Sequence, residues 1–125
     1  MRQIVIEANG VRIRARLLET PTADTIWQAL PIEGTTQTWG KEVYFATTIA
    51  TAREADARDV VELGQIAYWP DGDCIAIGFG PTPISRQGEI RLASPCNVWA
   101  EAIDDVTRLG AVHAGDGITI VEATD

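Results

Sequence analysis

Two cysteines and one histidine are the residues of this chain best suited to act as a nucleophile and its base. Cys96 would need His113 beside it, and a third group to orient the imidazole, before a thiolate could attack. A single histidine is more often a solvated or hydrogen-bonded residue, and both Cys74 and Cys96 stand in apolar surroundings. We therefore expect two buried free thiols, and the sequence predicts no catalytic residue.

Four aspartates are the next candidates, as ligands for a metal ion. Asp71 and Asp73 flank Gly72, and Asp104 is followed by Asp105. A calcium loop needs several more oxygen ligands at set spacings, and a zinc site needs clustered His and Cys. Turn and helix-cap roles suit these aspartates better. We expect no metal and no cofactor.

The aromatic residues carry the strongest functional signal. Alternation along a strand places Tyr44 and Phe45 on opposite faces of the sheet, and it separates Tyr68 from Trp69 in the same way. One member of each pair should pack inward and the other outward. The aromatics on or beside predicted strands are Tyr44, Phe45, Tyr68, Trp69, Phe79 and Trp99.

Six large aromatics together with Pro81 and Pro95 are more than a small core needs. An apolar cleft on the outer face of a sheet is therefore as good an explanation as packing alone, and it would take a small ligand. The residues predicted to line this cleft are Tyr44, Trp69, Phe79, Pro81 and Arg91.

The first strands that must support such a cleft form a hairpin. Asn9-Gly10 separates two alternating stretches and is the pair preferred in a two-residue turn, because both turn residues need positive φ. The register then places Ile6 opposite Ile13 on the core side and Glu7 opposite Arg12 on the other. The arginines of the second strand are expected to form a solvated face.

One main helix is predicted over about residues 21–30. Thr20 can cap it, and Pro21 fits its first turn, where a missing N–H costs nothing. The apolar stripe, which should face the core, consists of Ala23, Ile26, Trp27 and Leu30. Pro31 ends the helix.

The rest of the chain reads as short strands. Residues 64–69 and 74–79 form a hairpin around Pro70-Asp71-Gly72-Asp73. Residues 50–61 are expected to be a surface loop or short helix, and much of 80–97 an extended loop with one short strand at 89–93. Asp104 can cap a short helical turn near residues 104–109.

These elements predict a mainly β fold of about eight strands, closed into a small β-barrel with the helix over one open end. Residues 1–125 contain no linker or repeat and form a single domain. The net charge of −8 argues against nucleic acid and anionic lipid as partners. Residues 1–7 are too short and too alternating for a targeting segment, and no apolar run is long enough to span a membrane, so we expect a cytoplasmic protein.

Several sequence blocks resemble a family of small bacterial and archaeal proteins, mostly of unassigned function, that share the cyclophilin barrel. The most specific blocks are Tyr68-Trp69-Pro70 and Phe79-Gly80-Pro81-Thr82-Pro83. The remaining blocks, in the family's order, are residues 20–23, 29–33, 42–45, 63–67 and 94–98. The resemblance implies a cyclophilin-like barrel.

The resemblance does not imply peptidyl-prolyl isomerase activity. The phenylalanine-histidine-arginine stretch and the glutamine- and glycine-rich block of true cyclophilins are missing, and no arginine has the expected neighbours. Three hypotheses remain. The first is a domain that binds a small apolar ligand or a proline-containing peptide. The second is a divergent isomerase, which requires an arginine in the aromatic cleft. The third is a homo-oligomeric interaction domain.

Overall fold

The computed structural model describes residues 2–123, which fold into one antiparallel β-sheet system with one α-helix and one 3₁₀ helix. The helical segments are α1 (Pro21–Ala29) and the 3₁₀ helix (Val106–Ala111). The strands are β1 (Gln3–Ala8), β2 (Val11–Leu17), β3 (Ile32–Thr35), β4 (Gln37–Thr38), β5 (Glu42–Ala46), β6 (Arg58–Val61), β7 (Gln65–Trp69), β8 (Cys74–Gly78), β9 (Ile90–Ala102) and β10 (Gly117–Glu122).

The strands follow the order β3-β10-β1-β2-β9-β7-β8-β5-β4, and β6 pairs with β9 beside this path. The predicted mainly β, cyclophilin-like barrel is confirmed, although hydrogen bonds do not close it. Its two end strands, β3 and β4, are consecutive in the chain and meet at the buried residue Thr36. The Thr36 hydroxyl lies 2.8 Å from the carbonyl oxygen of His113 and 2.9 Å from that of Asp116. These hydrogen bonds anchor the residue at which the two end strands meet.

The amino-terminal hairpin has the predicted register. Ile6 faces Ile13, and Glu7 faces Arg12. The Arg12 Nε and Glu7 Oε2 atoms lie 3.4 Å apart. The two isoleucines are 1% exposed, while the charged pair lies in solvent. The arginine face of β2 is therefore solvated, as its acidic neighbours predicted.

Helix α1 begins and ends where the sequence predicts. The Thr20 side chain accepts a hydrogen bond of 3.0 Å from the Ala23 N–H, and Pro21 is the first helical residue. Ala23 and Ile26 are completely buried against the sheet. Trp27 and Leu30 are half-buried at the margin of the same core, so the apolar stripe docks the helix on the barrel.

Residues 80–89 form a loop, as predicted, but residues 90–97, where only one short strand was expected, are the first half of one long strand. β9 runs unbroken from Ile90 to Ala102 and passes through Pro95. It pairs with β6 in its first half and with β7 and β2 in its second. The pairing with β6 shifts register between Arg58 and Val60, and such an irregular edge tolerates a residue without an N–H.

The short helical turn is also displaced from its predicted position. It spans Val106–Ala111, and Asp105 caps it by accepting a hydrogen bond from the Thr107 N–H at 3.0 Å. Asp104 is not the cap because its carboxylate accepts hydrogen bonds from Arg14, both from the backbone N–H at 2.8 Å and from the guanidinium. These contacts lower the pKa of Asp104 to about 2.

Alternation along the strands divides the apolar residues between two clusters. The main core inside the barrel holds Phe45, Tyr68 and Trp99, each at most 1% exposed. A smaller cluster lies on the other side of the sheet. It consists of Val61, Ala67, Leu92 and Cys96, with Trp69, Ile90 and Val98 packed against it. The predicted separation of Phe45 from Tyr44, and of Tyr68 from Trp69, is confirmed.

Candidate functional site

A concave pocket of about 190 Å³, here called the outer pocket, lies on the side of the sheet that faces away from the main core. Strands β5, β8 and β7 are neighbours in the sheet, and the first half of β9 forms the opposite wall. Because side chains alternate along a strand, the residues that point away from the main core face this pocket. Its lining consists of Trp39, Glu42, Tyr44, Trp69, Cys74, Ala76, Leu92, Ala93, Ser94 and Cys96.

Two of the five residues predicted to line a cleft are brought together here, Tyr44 on β5 and Trp69 on β7. Both are half-buried. The Tyr44 hydroxyl donates a hydrogen bond of 3.1 Å to the Gln37 side chain on the neighbouring strand β4. The outward position of each aromatic follows from alternation with its buried neighbour in the main core.

The structure does not place the other three predicted residues in this lining. Phe79 follows β8 directly and packs against the main core. Pro81 is exposed, and its carbonyl oxygen accepts a hydrogen bond of 3.0 Å from the Lys41 N–H. The Arg91 guanidinium forms ion pairs with Glu89 at 2.8 Å and Asp59 at 2.9 Å.

Arg91 lies on β9, where its ion pairs hold the guanidinium beside Glu89 and Asp59. Phe79 and Pro81 have a different reason in common: both follow Gly78, where β8 ends, so alternation no longer says which way their side chains point. The segment that begins at Phe79 folds over the Gly40–Lys41 turn, where a Cβ on Gly40 would lie 2.9 Å from Pro83. Its prolines therefore hold a loop onto a turn.

The Asp-Gly turn between β7 and β8 supports the outer pocket through its contact with Trp69. An added Cβ on Gly72 would lie 2.4 Å from two carbons of the Trp69 ring, so the indole packs directly on this glycine. Asp73 has a φ of 52° and its carboxylate accepts a hydrogen bond of 3.0 Å from the buried Tyr68 hydroxyl. The turn thus fixes both aromatics of β7.

Glu42 is the buried acidic residue of the pocket. It is 6% exposed, and its Oε1 atom has no hydrogen-bonding partner. Burial raises its pKa to about 7, because a carboxylate loses its hydration in apolar surroundings. A carboxyl group that titrates near neutrality in a pocket is a common feature of functional sites.

Two further polar atoms of the pocket residues are buried without a partner, Trp69 Nε1 and Ser94 Oγ. Buried polar groups are nearly always hydrogen-bonded, because leaving one unpaired costs about 1–3 kcal/mol. Three of the four such atoms among the described residues belong to residues that line the outer pocket, and the fourth, Trp99 Nε1, belongs to the main core.

The two cysteines of the lining are free thiols, as the sequence predicts. Burial raises the pKa of Cys96 to about 12 and raises that of Cys74 as well. Each thiol donates to a nearby backbone carbonyl, Cys74 to Gly72 and Cys96 to Ser94. Protonated, buried thiols are poor nucleophiles, so they serve as apolar walls.

Trp39, Glu42 and Ser94 are the lining residues of functional interest that the sequence did not single out. Glu42 had a usable signal, since it stands two residues before Tyr44 and so shares its face of β5. Trp39 lies in the turn before β5 and Ser94 precedes Pro95 in an irregular stretch of β9. No periodicity marks either position.

His113 takes no part in the outer pocket. Its ring is 79% exposed and lies 3.9 Å from the Asp116 carboxylate. Within residues 2–123, no three His, Cys, Asp or Glu side chains are grouped closely enough to hold a metal ion. Across the same residues, no helix is long and apolar enough to cross a membrane.

Comparison with known proteins agrees with the fold and the sequence blocks. Residues 2–121 match the family described as cyclophilin-like. The solution structure of the hypothetical protein AF2241 from Archaeoglobus fulgidus is similar to this chain, with 36% identity and a TM-score of 0.83. That likeness covers 98% of this chain and 95% of the archaeal one.

A more distant neighbour is the structure of McbB in complex with tryptophan, with a TM-score of 0.68 and 14% identity. The likeness covers 98% of this chain and 46% of McbB. Because the identity is so low, it shows the shared fold alone. No curated protein matches this chain. The match over residues 2–121 and the archaeal structure together show that the chain belongs to the cyclophilin-like family.

Proposed function

We propose that this protein binds one small, largely apolar molecule in the outer pocket. The observation that carries the proposal is the combination of an aromatic lining with three buried polar atoms that have no partner. Small-molecule sites have this composition, since apolar walls supply affinity and a few polar groups set orientation.

The volume of the pocket indicates the size of the ligand. Sites for drug-sized molecules occupy roughly 300–1,000 Å³, whereas an apolar cavity of about 150 Å³ holds benzene. At about 190 Å³, the outer pocket suits a single ring or one side chain. A proline-containing peptide could therefore place no more than one residue inside it.

The isomerase hypothesis requires an arginine whose guanidinium enters the aromatic cleft. Among residues 2–123, the lining of the outer pocket contains no arginine. Arg91, the candidate from the sequence, has its guanidinium paired with two carboxylates. The geometry therefore favours binding over isomerisation, and a protease-coupled assay on a prolyl tetrapeptide tests the second activity directly.

Ligand binding is tested by thermal shift and calorimetry with a panel of single-ring compounds, small amines, prolyl dipeptides and tryptophan, the last because McbB was determined with it. We expect at least one compound to stabilise the wild-type protein. The matched variant is Ala76→Leu, which fills the pocket from the 3%-exposed Ala76 on β8. It should remain folded and lose the response.

A compound that stabilises wild type and Ala76→Leu equally binds elsewhere and contradicts the proposed site. A panel in which nothing stabilises the wild-type protein contradicts the proposed function.

A further inference from the structure

We propose that the ligand of the outer pocket carries a small organic ammonium group, which Glu42 holds among the rings of Trp39, Tyr44 and Trp69. This inference rests on the proposed function and names the chemical class of its ligand. It assigns Glu42 the role of counter-ion and the three aromatic residues the role of a cage.

The first argument is the missing partner of Glu42. Buried carboxylates in proteins are paired with a positive charge, because an isolated buried charge is costly. Within the described chain, no lysine or arginine belongs to the pocket lining. Lys41, its neighbour in sequence, is exposed and its side chain runs past Gly80. A cationic ligand would supply the absent charge.

The second argument is the lining around that carboxyl group. Two tryptophans and one tyrosine belong to the same pocket as Glu42. Aromatic rings attract cations through their π-electrons, and groups of them form the cages that recognise quaternary ammonium ions. An acidic residue and three aromatics in about 190 Å³ fit an ammonium group with short alkyl substituents or one ring.

The third argument concerns the other end of the ligand. Trp69 Nε1 is a hydrogen-bond donor, and Ser94 Oγ can donate or accept. Both are buried without partners. They suit an oxygen atom, either a hydroxyl or a carbonyl, on the same molecule that carries the ammonium group.

The proposal makes binding depend on pH through Glu42, which must be ionised to hold a cation. The other titratable groups that line the pocket are Tyr44 on the same strand, Cys74 on β8 and Cys96 on β9. Burial raises the pKa of both thiols, so they stay neutral as Glu42 ionises. A ligand with a permanent charge therefore reports on the ionisation of Glu42 alone.

The experiment compares choline with 3,3-dimethyl-1-butanol, which has the same shape with carbon in place of nitrogen and no charge. Binding to the wild-type protein is measured by calorimetry at about pH 8 and about pH 5.5, on either side of the Glu42 titration. We expect choline to bind about tenfold or more tightly than the neutral compound at the higher pH, and to weaken at the lower pH.

Two variants separate the carboxylate from the rest of the pocket. Glu42→Gln keeps the shape and should weaken choline about tenfold at the higher pH and remove the pH dependence, while leaving the neutral compound unchanged. Glu33→Gln, at an exposed position on β3, is the matched control and should behave as wild type.

Equal affinities for the two compounds, or choline binding that Glu42→Gln does not alter, overturn the inference and leave the proposed function standing. Binding of the neutral compound that strengthens at the lower pH also overturns it, because Glu42 would then act as a neutral donor. If the single-ring panel binds and choline does not, the inference fails alone. If nothing binds, both fail.

Discussion

Glu42 on β5 and Trp69 on β7 lie on the same side of the sheet with β8 between them, and each contributes a buried polar atom without a partner to the outer pocket. The family barrel places these residues together although 26 positions separate them in the chain. A carboxyl group buried without a partner costs stability when it ionises, because its lost hydration is not replaced.

Glu42 should make the protein less stable as the pH rises. Its pKa is raised from 4.5 to about 7 by burial, so the unfolded chain releases the proton first. The stability present below pH 4.5 is therefore lost as the pH rises through 7, by an amount on the order of 3 kcal/mol. Urea denaturation of wild type and Glu42→Gln across this window should show the loss in wild type only. Parallel curves for the two proteins would contradict this, and Glu33→Gln serves as the control.

Gly72→Ala should disturb the pocket through Trp69. The new Cβ would lie 2.4 Å from the indole ring, so the ring must move, at a cost of about 1–3 kcal/mol. We expect altered tryptophan fluorescence and weaker ligand binding. Gly110→Ala is the control, because its nearest atom outside the local backbone is 3.9 Å away. An unchanged spectrum in Gly72→Ala would show that the turn does not position the ring.

Gly34→Ala should destabilise the barrel where its ends meet. A Cβ at this position on β3 would lie 2.7 Å from a ring carbon of Phe45 on β5, and overpacking of this kind costs about 1–3 kcal/mol. The matched control is Gly117→Ala in the paired strand β10, where an added Cβ meets nothing within 4 Å. Chemical denaturation should separate the two variants, and equal stabilities would rule out a tight contact between β3 and β5.

Asn97→Ala should release the segment between β5 and β6. Asn97 is fully buried on β9; its amide donates to the Thr22 hydroxyl and the Ala52 carbonyl, both at 2.9 Å, and accepts from the Glu54 N–H at 2.9 Å. Loss of these bonds should cost about 2–3 kcal/mol.

Limited trypsin digestion measures the release, because Arg53 lies in that segment and is exposed. We expect faster cleavage there in Asn97→Ala than in Gln87→Ala, which changes an exposed side chain. Identical cleavage rates would mean that the network does not hold the segment.

Local patterns predicted those parts of the fold that local chemistry decides. Asn9-Gly10 specified a tight turn and hence the register of β1 and β2, and Thr20 and Pro21 specified the start of α1. β9 was misjudged because Pro95 normally interrupts pairing, and only the irregular partner β6 makes it acceptable. Asp104 was assigned to a cap because its partner Arg14 is distant in the chain.

The candidate site also combines features that local sequence patterns predict with features that only contacts between distant segments decide. Period-two alternation determined that Tyr44 and Phe45, and likewise Tyr68 and Trp69, lie on opposite faces of the sheet, and the sequence blocks indicated the family. The tertiary structure decided that Tyr44 and Trp69 are the members that face away from the core. Only the tertiary structure decided that Glu42 and Ser94 share a pocket with these aromatics, and that Phe79, Pro81 and Arg91 lie outside it. Sheet order and the path of a loop are set by contacts between distant segments, and no spacing within one segment records them.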